Sequence, residues 1–327
     1  MTVAPVDDRV SVVIPSHSLK RWPLLCRAVD SVWAQSPRPV EVVVVVDYNE
    51  ELYDLARREL TGVTVLANRF ARGVGGNRNT GAFHTTTPIV ALLDDDARAR
   101  PGWLARLLEP FDDPTVVGTG ANAVADWQSA RPTWFPDELL WTVGGSFADA
   151  PASSAQIRNV WAMAMAVRRD AFEAVGGFQP EFAKVGERSR PEDTDLCLRM
   201  SRAGGGRWIY VPHAVVDHLV PRERATVRYL ITRCYDEGRG KVCMSRRHRG
   251  AADLGPEWLY LRRTLPRAVG RGLAQTLRGD GLAGLAKAAC VLGAFAAAAV
   301  GGAVEAIHSG NGGSLGTSAA PATAGSD

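Results

Sequence analysis

An α/β fold with a mostly parallel central sheet is predicted by two features of this sequence. Through the first third of the chain, short runs of β-branched residues alternate with segments of helical period. The strand-like runs are apolar throughout, as expected of strands covered by helices on both faces. The connections between them are short, which favours right-handed crossovers between parallel neighbours.

Each element has its own reason. Residues 10–14 (VSVVI) read as a first strand stopped by Pro15. Residues 22–35 place Leu25, Val29, Val32 and Trp33 on one helical face, ended by Pro37 and Pro39. Residues 40–46 are a strand of nearly pure valine that runs into Asp47, and a helix is expected over 49–60. A third strand at 63–66 precedes the glycine-rich run 73–81 and a short helix to His84. Residues 89–93 are a buried strand that ends in Asp94, Asp95 and Asp96. Adjacent carboxylates repel, so a counter-charge is expected there, and hard oxygen ligands suit Mn²⁺ or Mg²⁺. A solvated acidic turn is the alternative.

Further along, a helix is expected from 101 to 111, strands at 116–118 and 161–167, and a short helix at 169–175 closed by Gly176 and Gly177. Residues 126–154 show no period and read as a loop or lid. Pro191 suits the first turn of a helix that runs to about residue 203. In that helix Asp193 shares a stripe with Leu196, Cys197 and Met200, where a carboxylate needs a partner or a task. Glu192, Asp195, Arg199 and Arg202 form another stripe, expected to be a salt-bridged solvent face. A strand at 208–211 comes next, then Pro212, His213 and the segment 215–218 ending in His218. A basic helix is expected over 223–239, and helices over 256–305.

Composition narrows the function classes. The net charge of +3 is too small to imply nucleic acid. Residues 222–287, however, hold 15 Lys/Arg against 6 Asp/Glu, a basic segment able to face phosphates or an anionic membrane. Five cysteines without a CxxC pair favour reduced thiols in a cytoplasm. Residues 1–8 hold no apolar stretch, so no signal peptide is expected. Residues 288–304 are uncharged but mostly Ala and Gly, and read as a buried or membrane-surface helix rather than a confident span. The expected division is a catalytic domain over 1–250, a C-terminal helical segment over 251–308 that can lie on a membrane, and a disordered tail over 309–327.

Ile14-Pro15, Asp47 after the valine strand, Arg78-Asn79-x-Gly81, Leu93-Asp94-Asp95-Asp96, Gly176-Gly177-Phe178, Glu192-Asp193-x-Asp195-x-x-x-Arg199 and His218 occur together and in order. This set resembles the inverting glycosyltransferases of family 2, over about residues 9–245. The glycine cluster follows the third strand and lacks G-x-G-x-x-G, so a dinucleotide site is poorly supported.

The resemblance implies a GT-A fold with a Rossmann-like nucleotide-binding half, and a role for each motif. Pro15 would end the strand flooring the nucleotide pocket. Asp47 would accept a hydrogen bond from the donor's base, taken as uracil, and Arg78 would sit by the nucleotide. Asp94 and Asp96 would reach the ribose and a Mn²⁺ or Mg²⁺ ion, with Asp95 also at the nucleotide. Asp193 would be the catalytic base. His218 would complete the metal site, with His213 as its competitor. Ser16-His17-Ser18 departs from the family's usual residues and leaves the base contacts open.

The function expected is transfer of a sugar from a nucleotide sugar, UDP-linked, to a lipid-linked or polysaccharide acceptor at the cytoplasmic face of a membrane. A sugar nucleotidyltransferase and a nucleotide-sugar-binding protein without catalysis are the alternatives. Acceptor specificity is expected in 126–160 and 180–190.

Overall fold

The computed structural model describes residues 6–146, 148–182, 191–248, 260–278 and 282–310. The expected disordered tail lies outside the described residues from 311 onward, and so does 183–190 of the expected acceptor region.

One sheet organises the chain. Its strands are β1 (Val6–Ser16), β2 (Arg38–Val46), β3 (Thr64–Ala67), β4 (Ile89–Leu93), β5 (Ala97–Ala99), β6 (Val116–Trp127), β7 (Ala155–Ile157), β8 (Ala164–Arg168) and β9 (Arg207–Val220). Their order is β3-β2-β1-β4-β8-β6-β9-β5, with β7 also on β9. The first four strands are parallel, as the βα alternation predicts. The second half is mixed: β8 runs antiparallel to β4 and β6, and β6 is parallel to β9.

Alternate strand residues point to opposite layers. Val12, Ile14, Val42, Val44 and Leu93 pack under α1 (Trp22–Trp33) and α4 (Trp103–Leu108). Val13, Val43, Val45, Val90 and Leu92 pack on the other side with Phe172, Phe178, Leu196, Cys197 and Met200. Residues 42–46 are all at most 1% exposed. Such burial contributes roughly 1.5–3 kcal/mol per valine as an upper estimate, which explains a strand with no polar face. The remaining helices are α2 (Glu50–Glu59), α3 (Val74–His84), α5 (Arg169–Ala174), α6 (Glu192–Gly204), α7 (Val227–Arg247), α8 (Leu265–Leu277) and α9 (Ala283–Gly310).

Several expectations change. Pro15 does not stop β1; the register continues Pro15↔Val45 and Ser16↔Val46. Pairing with β4 ends at Val13↔Leu92, so Pro15 sits where β1 has one neighbour and can lack its N–H. The strand at 116–118 extends to Trp127, and the aperiodic region contains the 3₁₀ segment Asp137–Val143 as well as β7. The strand at 208–211 does not end at Pro212: the β6 register jumps from Ala121↔Val211 to Asn122↔Val215, and this bulge absorbs residues 212–214. The basic helix is displaced to Val227–Arg247, capped by Thr226, whose hydroxyl accepts from Tyr229 N.

The C-terminal helices pack on the body through Phe135, Leu139, Val143, Leu230 and Cys234, which meet Ala268, Val291 and Ala294. α7 and α9 come so close that a Cβ at Gly238 would lie 1.9 Å from the Ala298 carbonyl oxygen. Among the described residues the outer side of α9 has no such partner. Leu285, Leu292, Phe295, Val300 and Ile307 are all exposed on it. Residues 283–308 are long and apolar enough to cross a membrane, with mean hydropathy 1.9, and only 17% of the most apolar window is buried.

Candidate active site

Parallel strands put their C-terminal ends on one edge, and the chemistry-bearing residues collect there. Ser16 ends β1, Asp47 follows β2, and Asp94, Asp95 and Asp96 follow β4. The three carboxylates turn tightly, with Ala97 N donating to the Asp94 carbonyl at 3.0 Å. Leu219 N donates to the Asp96 carbonyl at 2.9 Å, tying the turn to β9.

The chain supplies counter-charges of its own. Arg78, buried on α3, donates from Nη2 to Asp94 Oδ1 and from Nη1 to Glu192 Oε1, both at 2.7 Å. Arg21 Nη1 donates to Asp95 Oδ1 at 2.7 Å and lies 3.1 Å from Asp96 Oδ2. The Ser16 hydroxyl donates to Asp95 Oδ2 at 2.6 Å. Burial holds Asp95 above the usual carboxylate range against Arg21. Burial would also raise Asp96, but His218, Arg21 and Arg224 hold it well below that range.

β9 carries both histidines that compete for the metal role. His218 is buried, pairs in register with Ala97, and places Nε2 3.4 Å from Asp96 Oδ1. His213 is exposed, with its carbonyl accepting from Arg106 Nη1. The ring of His218 has room because residue 144 is glycine: a Cβ there would lie 2.5 Å from Cε1, and the φ of +85° is left-handed. His218 Nδ1 is buried and has no hydrogen-bond partner among the described residues.

The residues present fit a divalent cation that takes most of its ligands from a substrate. Among the described residues no three His, Cys, Asp or Glu side chains converge on one point. Asp96 and His218 provide one oxygen and one nitrogen 3.4 Å apart. Two ligands each roughly 2.1 Å from one ion and at right angles stand about 3 Å apart, close to this separation.

Asp47 is half engaged. Its Oδ1 accepts from Asn68 Nδ2 at 2.7 Å and its Oδ2 from Gly73 N at 3.0 Å, which orders the 68–73 loop beside α3. Each oxygen keeps a lone pair for a further donor. Pro15 lies beneath, buried and in register with Val45.

Asp193 occupies the first turn of α6. Its Oδ1 accepts from Thr194 N at 2.9 Å, and burial pushes its carboxyl above the usual range. It has no ion-pair partner within 4 Å among the described residues, unlike the nearby carboxylates Glu192 and Asp195. Glu192 is buried on Arg78; burial, with Asp193 and Asp94 adding to it, pushes its carboxyl up to about 7. The stripe expected to face solvent is therefore partly internal. Asp195 is fully buried, accepting from Arg199 Nε at 2.7 Å and from His248 Nε2 at 2.9 Å. Arg199 also donates to the carbonyls of Val175 and Gly177, anchoring the loop after α5. The reason is tertiary: α7 ends against this face and brings His248 to it.

Sequence reasoning missed Arg21 and His248. For Arg21 a signal existed. It is the N-cap residue of α1, and a cation at a helix N-terminus opposes the macrodipole unless an anion offsets it.

The family described as Glycosyl transferase family 2 matches residues 11–176, half of the chain, covering the first strand through the glycine turn after α5. The chain belongs to glycosyl transferase family 2. This family 2 enzyme is 31% identical over 250 residues to the glucosyl-dolichyl phosphate glucuronosyltransferase of Haloferax volcanii, a match spanning 75% of this chain and 80% of that one. Among solved structures it resembles the mannosyltransferase PcManGT from Pyrobaculum calidifontis in complex with GDP-Man and Mn²⁺, with a TM-score of 0.53 and 21% identity over 95% of this chain and 81% of that one. GalNAc-T7 with UDP, GalNAc and Mn²⁺ matches with a TM-score of 0.50 and 19% identity, over 75% of this chain and 52% of that one. At these identities the structural likeness concerns the fold, which is the GT-A type. This family 2 chain is a glycosyltransferase.

Proposed function

We propose that this glycosyltransferase moves a sugar from a nucleotide sugar to a hydroxyl of a lipid-linked acceptor, with inversion at the anomeric carbon. The observation that carries the reading is Arg78, whose guanidinium joins Asp94 to Glu192 and so sets Asp193 beside the donor edge of the sheet. Asp193 takes the proton from the acceptor hydroxyl as its oxygen attacks the anomeric carbon. The new C–O bond forms opposite the breaking bond to the nucleoside diphosphate, which leaves. A carboxyl held above its usual range is a stronger base than an exposed aspartate. Asp96 and His218 would hold Mn²⁺ or Mg²⁺, which offsets charge on the leaving diphosphate when bound. Pro15, Asp47, Arg78, Asp94 and Asp95 line the nucleotide side.

Two observations support a lipid-linked acceptor over a free polysaccharide. The Haloferax relative is named for a dolichyl-phosphate substrate. The exposed face of α9 is apolar along its length; α8 beside it exposes Arg267 and Leu277, and the turn before α8 exposes Arg263. Apolar burial and basic charge together give stable peripheral attachment where either alone is marginal. Attachment at the cytoplasmic face of a membrane follows from this reading, with residues 1–250 as the catalytic unit and 251–308 as the docking segment. Within the basic segment 222–287, Arg271 is not free to face lipid: it is paired with Glu138.

A thermal-shift screen of UDP- and GDP-sugars, with and without Mn²⁺, tests the donor and the ion together. A ligand stabilises the native state in proportion to the logarithm of its excess over Kd. A nucleotide sugar that stabilises only with Mn²⁺ is the expected result, and the responding base replaces uracil if it is guanine. No response to any nucleotide sugar in either condition overturns the reading.

A further inference from the structure

Asp95 and Asp96 are adjacent, buried and both acidic, yet a single guanidinium nitrogen serves them. Arg21 Nη1 lies 2.7 Å from Asp95 Oδ1 and 3.1 Å from Asp96 Oδ2. The two oxygens of Asp96 face different partners: Oδ1 faces His218, and Oδ2 faces Arg21. Asp95 also has the Ser16 hydroxyl, so it keeps a donor if Arg21 leaves. Among the described residues the Arg21 guanidinium bonds to these carboxylates alone, and its side chain is 29% exposed at the start of α1, where a helix N-terminus disfavours a cation. It is a tethered positive charge with one place to rest and an open way out.

We propose that Arg21 is the resident counter-cation of the Asp95–Asp96 pair, and that a divalent cation at Asp96 binds by displacing its guanidinium. This rests on the reading that Asp96 and His218 hold the ion. An ion between Asp96 Oδ1 and His218 would share one carboxylate with the guanidinium on Oδ2, and two cations held that close repel, so each weakens the hold on the other. Arg21 thereby keeps the carboxylate pair neutralised between turnovers and weakens the hold on the ion to a level that lets it exchange with the leaving nucleotide.

The test is calorimetric titration of Mn²⁺ into the full chain, its Arg21→Gln variant and its Arg21→Lys variant, with melting temperature recorded alongside. Removing the competing charge is expected to tighten Mn²⁺ binding by about tenfold in Arg21→Gln, a modest share of what a unit charge exerts at contact once solvent screening is allowed for. Arg21→Lys keeps the charge and is expected to stay within about threefold of the wild type. Without metal, Arg21→Gln is expected to melt lower than the wild type, and saturating Mn²⁺ is expected to raise its melting temperature by more. Equal or weaker Mn²⁺ binding in a folded Arg21→Gln overturns the displacement and leaves the metal reading standing. An Arg21→Gln chain that stays unfolded in saturating Mn²⁺ also overturns it, because the ion then does not replace the guanidinium. No Mn²⁺ binding to wild type or variant overturns the metal reading and this proposal together.

Discussion

Arg78 and Glu192 stand 114 residues apart in sequence and meet at 2.7 Å in the interior. The bond joins α3, whose preceding loop meets Asp47 at the end of β2, to α6, whose second residue is Asp193. Among the described residues Glu192 Oε2 has no hydrogen-bond partner, and burial pushes this carboxyl up to about 7. An acid whose pKa is higher folded than unfolded binds more protons in the native state between the two values, so stability falls as pH rises through that window. From pH 4.5 to 7, the free energy of unfolding of Glu192→Gln is expected to rise relative to the wild type by up to about 3 kcal/mol, an order-of-magnitude value. Urea denaturation at a series of pH values measures the difference; parallel curves for the two proteins contradict it.

Asp193→Asn keeps shape and removes the base. Turnover is expected to fall on the order of 10²-fold or more, with nucleotide binding nearly unchanged. Steady-state kinetics and donor titration on the same preparation separate the two. Wild-type turnover in this variant would reduce Asp193 to a carboxylate satisfying a helix terminus.

His248 ties the end of α7 to the helix that carries Asp193. Arg202 Nη1 lies 2.7 Å from its Nδ1, and a guanidinium only donates, so Nδ1 accepts and Nε2 carries the proton toward Asp195. His248→Ala leaves the buried Asp195 short of a donor and is expected to cost about 1–3 kcal/mol of stability. It is also expected to lower kcat several-fold with little change in the KM for the donor. His248→Gln can both accept and donate, and is expected to restore part of each. If Gln is no better than Ala, the hydrogen bonds are not what matters at this position.

Leu292 and Phe295 lie on the outer face of α9, 57% and 47% exposed. Replacing both by serine is expected to abolish flotation of the full chain with anionic liposomes at low salt while leaving its melting temperature nearly unchanged. Flotation unaffected by the double change would move the docking surface elsewhere. An unchanged wild type in the bottom fraction would remove the membrane from the proposed function.

The sequence by itself determined the elements whose cause is local. Valine-rich runs between amphipathic segments specify buried parallel strands, and the three aspartates after β4 and the Glu-Asp pair at the start of α6 fall where their neighbours' periodicity puts them. The parallel half of the sheet and the position of the acidic turn at its edge follow from that periodicity. Tertiary structure decided what depends on partners far away in the chain. Which arginine neutralises which carboxylate was not legible, because Arg21 and Arg78 reach their partners across 74 and 16 residues through packing that no period encodes. That His218 lies beside Asp96 while His213 is exposed turned on a bulge at 212–214, since a strand broken at Pro212 would have given neither histidine a defined register. The Asp195 face of α6 read as solvent because its pattern is that of an exposed salt-bridged stripe, and it is interior because α7 ends against it. Charge pairs look alike in sequence whether water or protein surrounds them; burial, which sets their energies and their pKa values, is a property of the assembled fold.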